Sequence, residues 1–106
     1  MLLLQLELYD NNNSRDVSAA YTISTTNTWE HKVVSFPADT TGVLDNNNGS
    51  SLYIIWALGA GSNYTSGTLN TSWANNVNAN RYVGQVNHAD STSNNVHITG
   101  VQMEVG

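Results

Sequence analysis

Residues 2–14 read LLLQLELYDNNNS, and this stretch decides the fold class. Every second residue from Leu2 to Leu8 is leucine, whereas the polar residues Gln5 and Glu7 fall between them. A period of two predicts a β-strand that buries one face and turns the other face to solvent. Asparagines and serines tolerate left-handed backbone and close tight turns, so we expect the strand to enter a hairpin here.

Further strand-like stretches follow, separated by Gly, Asn, Ser and Pro. The stretch 52–58 is apolar on both faces, which predicts a central strand that is covered on both sides. Apolar residues never recur at helical spacing over more than one turn. The sequence therefore predicts one all-β domain over residues 1–106, an antiparallel sandwich or barrel of about seven or eight short strands. The remaining predicted strands are 17–23, 29–36, 81–88 and 95–105, with a shorter segment around 69–73.

Composition excludes several classes of protein. The chain has 106 residues, of which 40% are hydrophobic, so it is too apolar for a disordered segment. No apolar run approaches the roughly 20 residues that cross a bilayer, and we expect no membrane insertion. Three Lys and Arg residues against eight Asp and Glu residues leave a net charge of −5. Because nucleic-acid binding depends on neutralising phosphates, we also expect no nucleic-acid partner.

Catalytic chemistry is not indicated by the sequence. Glycoside hydrolysis needs two carboxyl groups that face each other about 5 to 9 Å apart. Glu7, Glu30 and Glu104 all fall at outward positions of alternating strands, where solvated carboxylates are the simpler interpretation. The chain has no cysteine and no Gly-x-Ser-x-Gly elbow. We therefore predict no enzymatic activity and no catalytic residue.

Metal binding is weakly suggested at two loops. Residues 10–14 and 45–49 carry Asp and Asn oxygens of the kind that Ca²⁺ prefers, but neither loop has the Glu expected at position twelve. We interpret both as turns without metal, and predict no cofactor; one structural calcium ion stays open as the alternative. His31, His88 and His97 are interpreted as surface or half-buried residues and not as zinc ligands.

Sugar binding is the best-supported chemistry. Neutral sugars stack on aromatic faces and bond to amides and hydroxyls, and about a third of this chain is Asn, Ser and Thr. Trp56 and Tyr21 lie in apolar strands and are assigned to the core, whereas Trp29 could serve either role. Packing is the alternative for every loop aromatic, and Arg81 could equally pair with Asp90. The predicted ligand-binding residues are Tyr64, Trp73, Asn80, Arg81, Tyr82, Gln85 and Asn87.

Five stretches, taken in order, carry a family resemblance. They are residues 29–32 (WEHK), 36–42 (FPADTTG), 58–62 (LGAGS), 90–94 (DSTSN) and 98–106 (ITGVQMEVG). Together they resemble a jelly-roll module of bacteriophage tail-fibre and other virion-surface proteins, which is related to carbohydrate-binding modules. The resemblance covers about residues 5–106 and is strongest at the last strand.

The resemblance implies a two-sheet jelly-roll sandwich on a virion-surface protein that is usually trimeric. It implies recognition of a host-surface carbohydrate, and the alternative function is a structural spacer or oligomerisation domain. The sequence departs from the pattern at its start, since such modules usually carry further N-terminal strands. A sheet trimmed in this way leaves an edge uncovered, and the apolar run from Leu2 to Leu8 then predicts self-association.

Overall fold

The computed structural model describes residues 2–106, in which the strands form one antiparallel sheet. Its order is β3-β1-β2-β4, so β1 lies inside the sheet and β3 at an edge. Two 3-10 turns occupy Asn78–Asn80 and His88–Asp90. The strands are β1 at Leu2–Asp10, β2 at Arg15–Ile23, β3 at Leu52–Ala57 and β4 at Ala74–Asn75, and one short helix, α1, covers Ser62–Thr65.

The predicted N-terminal hairpin is confirmed. β1 and β2 pair along their whole length, with Leu8 opposite Val17. The turn is closed by the buried carboxylate of Asp10, which accepts hydrogen bonds from the backbone N–H groups of Asn12 and Asn13 at 2.9 and 3.0 Å. Ser14 completes the turn in the left-handed region at φ 52°. The short polar residues therefore serve the turn as expected.

The two faces of the sheet differ in chemistry. Leu4, Leu8 and Val17 are fully buried on the apolar face and form its core. Gln5 and Glu7 lie on the opposite face, and they are also fully buried. The prediction that this face is solvated is therefore wrong. Trp56 and Tyr21, assigned to the core from sequence, lie on the apolar face and are half-buried.

Residues 64–87, which we call the cover segment, bury the polar face. Gln85 Oε1 accepts from the backbone N–H of Gln5, and Gln5 Nε2 donates to the carbonyl of Val83, both at 2.8 Å. Ser18 Oγ donates to the Arg81 carbonyl at 3.0 Å. These bonds run from the cover segment down to the sheet, and the chain turns at Gly84, whose φ is 87°. Residues 81–88 therefore do not form the predicted strand.

The other predicted strands differ as well. Residues 29–36, 69–73 and 95–105 contain no strand in the structure of residues 2–106, and the two-residue β4 begins directly after residue 73. β3 coincides with the prediction for 52–58, but it is an edge strand and not a central one. The domain is thus β-rich with one four-stranded antiparallel sheet, and a second sheet is not formed within the described chain. Alternation alone does not make a strand, because each strand needs a partner for its backbone groups.

The fold is open for its size. Its accessible surface is 7141 Å², whereas a folded monomer of this mass exposes about 5,800 Å². Its radius of gyration is 14.5 Å, against about 13 Å for a compact domain of this length. The excess surface includes exposed apolar side chains, above all in residues 98–105.

Candidate functional site

The predicted site residues occupy three places in the structure. Tyr64, Arg81 and Tyr82 come together over the polar face of the sheet. Trp73 lies apart from them, where its Nε1 donates to the carbonyl of Pro37 at 2.7 Å. Asn87 lines a separate groove. All seven belong to the cover segment, and the remaining two, Asn80 and Gln85, bond to the backbone of Thr68 and Gln5 and join none of these places.

A buried ion pair holds the first group. Arg81 Nε and Nη2 donate to Oε2 and Oε1 of Glu7 at 2.9 and 2.7 Å. Tyr82 donates its hydroxyl to Glu7 Oε1 at 3.1 Å and accepts from Arg81 Nη2 at 3.0 Å. The bond to Glu7 raises the pKa of Arg81, and burial raises the pKa of Tyr82 to about 12. The pairing of Arg81 with Asp90 that the sequence left open is therefore replaced by a pair with Glu7.

Tyrosine rings surround the guanidinium of Arg81. It lies 5.3 Å from the ring centroid of Tyr9, 5.9 Å from that of Tyr64 and 5.1 Å from that of Tyr82. Tyr53 stacks on Tyr9 with ring centroids 6.1 Å apart and the planes inclined by 12°. We call Tyr9, Tyr53, Tyr64 and Tyr82 the tyrosine cluster. Tyr53 and Tyr64 expose part of their rings to solvent.

Tyr9 and Tyr53 are not among the residues that the sequence indicated. They are direct partners across β1 and β3, and both fall on the polar face. The sequence does contain one indication. Tyr9 has an odd number, as Gln5 and Glu7 do, and therefore falls on the same face of β1 as those two residues. Its partner on β3 could not be identified, because the register between two distant strands is not visible in the sequence.

Asp16 lies beside Glu7 and is also fully buried. Its Oδ1 accepts from the side-chain amides of Asn70 at 3.3 Å and Asn76 at 3.4 Å, whereas its Oδ2 has no hydrogen-bond partner in the structure of residues 2–106. Burial, with repulsion from Glu7, raises the pKa of Asp16 to about 6. The cover segment therefore packs over two neighbouring carboxyl groups, those of Glu7 and Asp16, and contributes a single guanidinium, that of Arg81.

Several predicted hydrogen-bonding groups serve the fold itself. Asn80 Oδ1 accepts from the backbone N–H of Thr68 at 2.9 Å. Gln85 uses both ends of its amide, accepting from Gln5 and donating from Nε2 to the carbonyl of Val86 at 2.8 Å. Asn87 Oδ1 accepts from the N–H of Ala89 at 3.1 Å. Asn87 is exposed, which distinguishes it from the other two.

A second surface is concave and was not selected from the sequence. Residues 24–30 and 86–97 border a groove of about 980 Å³, which we call the Trp29 groove. The side chain of Trp29 is 69% exposed there, and the His97 ring meets it edge-on, with centroids 6.4 Å apart and an interplanar angle of 64°. An indole this exposed presents a large apolar surface to the groove. The polar part of the lining includes Thr26, Asn27, Thr28, Asn87, Asn94 and Asn95.

The carboxylates at this groove are hydrogen-bonded within the chain, and Glu30 is also paired with a cation. Glu30 accepts from the backbone N–H groups of Ser24 and Thr25 at 2.9 and 3.1 Å and pairs with Lys32 at 2.8 Å. The bond from Lys32 lowers the pKa of Glu30. Asp90 Oδ1 accepts from Asn94 Nδ2 at 2.8 Å. The groove therefore offers an aromatic face, amides and hydroxyls, together with the carboxylate of Asp90, whose hydrogen bond comes from a neutral amide.

No protein-family model, curated protein or solved structure matches this chain. Among residues 2–106, no three His, Asp or Glu side chains are grouped closely enough to hold a metal ion together. The helices in that range are all too short to cross a membrane. Functional assignment therefore depends on the geometry of this chain.

Proposed function

We propose that this domain recognises a neutral glycan without covalent chemistry, and that the Trp29 groove is the binding surface. The observation that carries the proposal is the exposed indole of Trp29 inside a concave surface lined by amides and hydroxyls. Ligand sites are usually concave and combine apolar area with a few polar groups. A solvent-exposed Trp in such a place is well suited to stack on the apolar side of a sugar ring.

The chemistry of the groove favours an uncharged ligand. Asn and Thr side chains provide both donors and acceptors, as sugar hydroxyls require. The only cation near the groove, among the residues described, is Lys32, and its charge is paired with Glu30. An acidic sugar would meet a chain of net charge −5 with no free cation at this surface.

The tyrosine cluster is the second candidate surface for the same ligand class. Tyr64, predicted from the sequence, offers a partly exposed ring, and Tyr53 adds another. Arg81 and Tyr82 are less available, because their polar atoms are committed to Glu7. The side chains predicted to bind with them, Asn80 and Gln85, are also engaged. We therefore rank this surface below the groove.

The biological setting that we propose is a virion surface, and it rests on the resemblance to phage jelly-roll modules. The same resemblance supports a two-sheet jelly roll for the assembled protein, in which further strands would join the sheet seen here. A structural or oligomerising role is the competing function. It is favoured by a different observation, the large exposed surface.

A glycan array that includes neutral and acidic sugars tests the proposal. We expect hits among neutral glycans, and Trp29→Ala should weaken binding to those hits at least about tenfold, since aromatic anchors dominate such contacts. Trp73→Phe is the matched control at a distant aromatic and should bind as the parent does. An array without hits would contradict glycan recognition.

Tyr64→Ala separates the two candidate surfaces. Binding that is lost in Tyr64→Ala and retained in Trp29→Ala would place the ligand on the tyrosine cluster and overturn the groove assignment. Circular dichroism of each variant shows whether the fold is kept.

A further inference from the structure

Residues 95–106, which we call the C-terminal segment, contact the rest of the chain through Asn95 and His97 but form no strand pair within residues 2–106. Within the described chain, the backbone groups of residues 96–106 make no hydrogen bond. Val101 and Met103 each expose 56% of their surface, and Val105 is fully exposed. Exposed apolar side chains and unpaired backbone groups at one place indicate an interaction surface.

The sequence of the C-terminal segment is that of a bulged β-strand. Val96 and Ile98 alternate with polar residues, and so do Val101, Met103 and Val105, but the second set is out of phase with the first. Gly100 lies between the two sets in the left-handed region at φ 61°. A glycine in this conformation is typical of the G1 bulge, which inserts one extra residue into a paired strand. With that bulge, all five apolar side chains lie on one face.

The sheet offers a matching edge. β3 pairs with β1 on one side only, so in the described structure the outer N–H and C=O groups of Leu52–Ala57 belong to no ladder. Ile54 and Trp56 lie on the apolar face beside this edge and are only half-buried. An added strand with one apolar face would complete their burial and satisfy the edge.

We propose that the C-terminal segment of one copy of this chain adds as a strand to the outer edge of β3 in a second copy. Within a single copy the segment leaves β3 unpaired, although His88 brings the two close by bonding to both the Leu58 carbonyl and the Asn95 carbonyl. Exchange of an identical element between copies is a common route to closed oligomers.

The exposed area is of the size that this assembly requires. The chain exposes about 1,300 Å² more than a folded monomer of its mass, from 7141 Å² against about 5,800 Å². A stable interface buries about 800 Å² on each partner. Each copy would bury surface twice, once on the segment that it donates and once on the β3 edge that receives the segment of another copy. The total would be of the same order as the excess surface.

The first test is the mass of the full chain in solution, measured by analytical ultracentrifugation over a wide concentration range. We expect a mass of two or three chains, and we expect Val101→Asp with Met103→Asp to reduce it to that of one chain. Val43→Asp, an exposed valine outside the segment, is the control and should leave the mass unchanged. A single-chain mass at all concentrations overturns the proposal, and so does an oligomer that survives both segment substitutions.

Cross-linking then identifies the two surfaces that meet. Because the chain has no native cysteine, disulfides can form only between the introduced positions. Ile54→Cys protein is mixed with Met103→Cys protein, so that a disulfide between the two positions can form only between copies. We expect mixed dimers under mild oxidation and far fewer with Val43→Cys in place of Met103→Cys. If the double variant Ile54→Cys/Met103→Cys closes only within one chain, the segment folds onto its own β3 and the proposal is wrong. Neither test measures glycan binding, and although the segment shares Asn95, Val96 and His97 with the Trp29 groove, the substituted Val101 and Met103 lie outside the groove lining.

Discussion

The carboxylate of Glu7 is fully buried in the middle of the sheet and receives two hydrogen bonds from Arg81, 74 residues further along the chain. This pair fixes the cover segment on a sheet face that carries Gln5, Glu7 and Asp16 in place of apolar residues. Its geometry, with each carboxylate oxygen bonded to a different guanidinium nitrogen, is the strong form of such a pair.

Removing the guanidinium should be costly. Arg81→Met leaves the Glu7 charge buried without its partner, and we expect a loss of about 3 to 5 kcal/mol in the free energy of unfolding, measured with urea. Lys32→Met, which breaks the exposed pair with Glu30, is the control and should cost less than about 1 kcal/mol. The double variant Glu7→Gln/Arg81→Met should recover part of the loss. Equal effects of Arg81→Met and Lys32→Met would show that the buried pair does not anchor the cover segment.

Asp16 should make the stability fall as pH rises. Its pKa is raised to about 6 in the folded chain, whereas an unfolded Asp titrates near 4. The folded state therefore binds the proton more tightly, so this contribution is fully present below about pH 4 and is lost as pH rises through about 6. Asp16→Asn should remove that slope and stabilise the protein at pH 7 by an amount on the order of 3 kcal/mol, since each pKa unit corresponds to about 1.4 kcal/mol. Urea unfolding at a series of pH values measures both effects.

Asp39 provides a control of opposite sign. Its hydrogen bond from Arg15 lowers the pKa of its carboxyl, so the stabilisation is present above the usual pKa of an Asp and is lost as pH falls. Asp39→Asn should therefore weaken the protein at neutral pH and reduce its sensitivity to acid. If both substitutions changed the pH profile in the same direction, the assignment of Asp16 would be wrong.

Gly84 should resist substitution because of its backbone conformation. A Cβ at this position would lie 3.7 Å from Leu3 Cδ2 and 3.8 Å from Gln5 Nε2, which are ordinary contacts. Its φ of 87°, however, is one that residues with side chains rarely adopt. We expect Gly84→Ala to lower the melting temperature, at a cost of about 1 to 2 kcal/mol.

Gly61→Ala is the matched control for Gly84. Gly61 has a φ of −83° and no atom within 4 Å of its added Cβ. Its substitution should have a much smaller effect on the melting temperature. Similar losses in both variants would contradict the left-handed backbone of Gly84 as the cause of its effect.

Trp29 should dominate the quenching of fluorescence. Of the three tryptophans it is the exposed one, whereas Trp56 and Trp73 are half-buried. We expect acrylamide to quench the parent emission strongly and the Trp29→Phe emission weakly. Trp73→Phe should leave the strong quenching in place. Strong residual quenching in Trp29→Phe would contradict the exposure on which the groove proposal rests.

The sequence predicted the hairpin well because its information is local. Alternating leucines define β1, and Asp10 with the asparagines after it defines the turn. The burial of Glu7 could not be predicted in the same way. Its partner Arg81 lies 74 residues away, in a part of the cover segment that forms no strand.

The candidate site could be predicted only in part, again because the contacts that form it join residues that are distant in sequence. Tyr64, Arg81 and Tyr82 come together as expected of one site, but their centre is a carboxylate that the sequence assigned to solvent. Tyr9 joins them through strand register, which composition does not reveal. Whether any of these residues binds a glycan remains a prediction.

The cover segment lies far along the sequence from β1 and β2, and this separation affects the order in which the parts fold. β1 and β2 are joined by a turn of a few residues, so their pairing costs little loop entropy and can occur early. The bonds from Gln5 to Gln85 and Val83 span 80 and 78 residues. During synthesis, the polar face of the hairpin therefore stays hydrated until most of the chain has emerged, and docking of the cover segment comes last. Substitutions at the cover should then accelerate unfolding more than they slow folding.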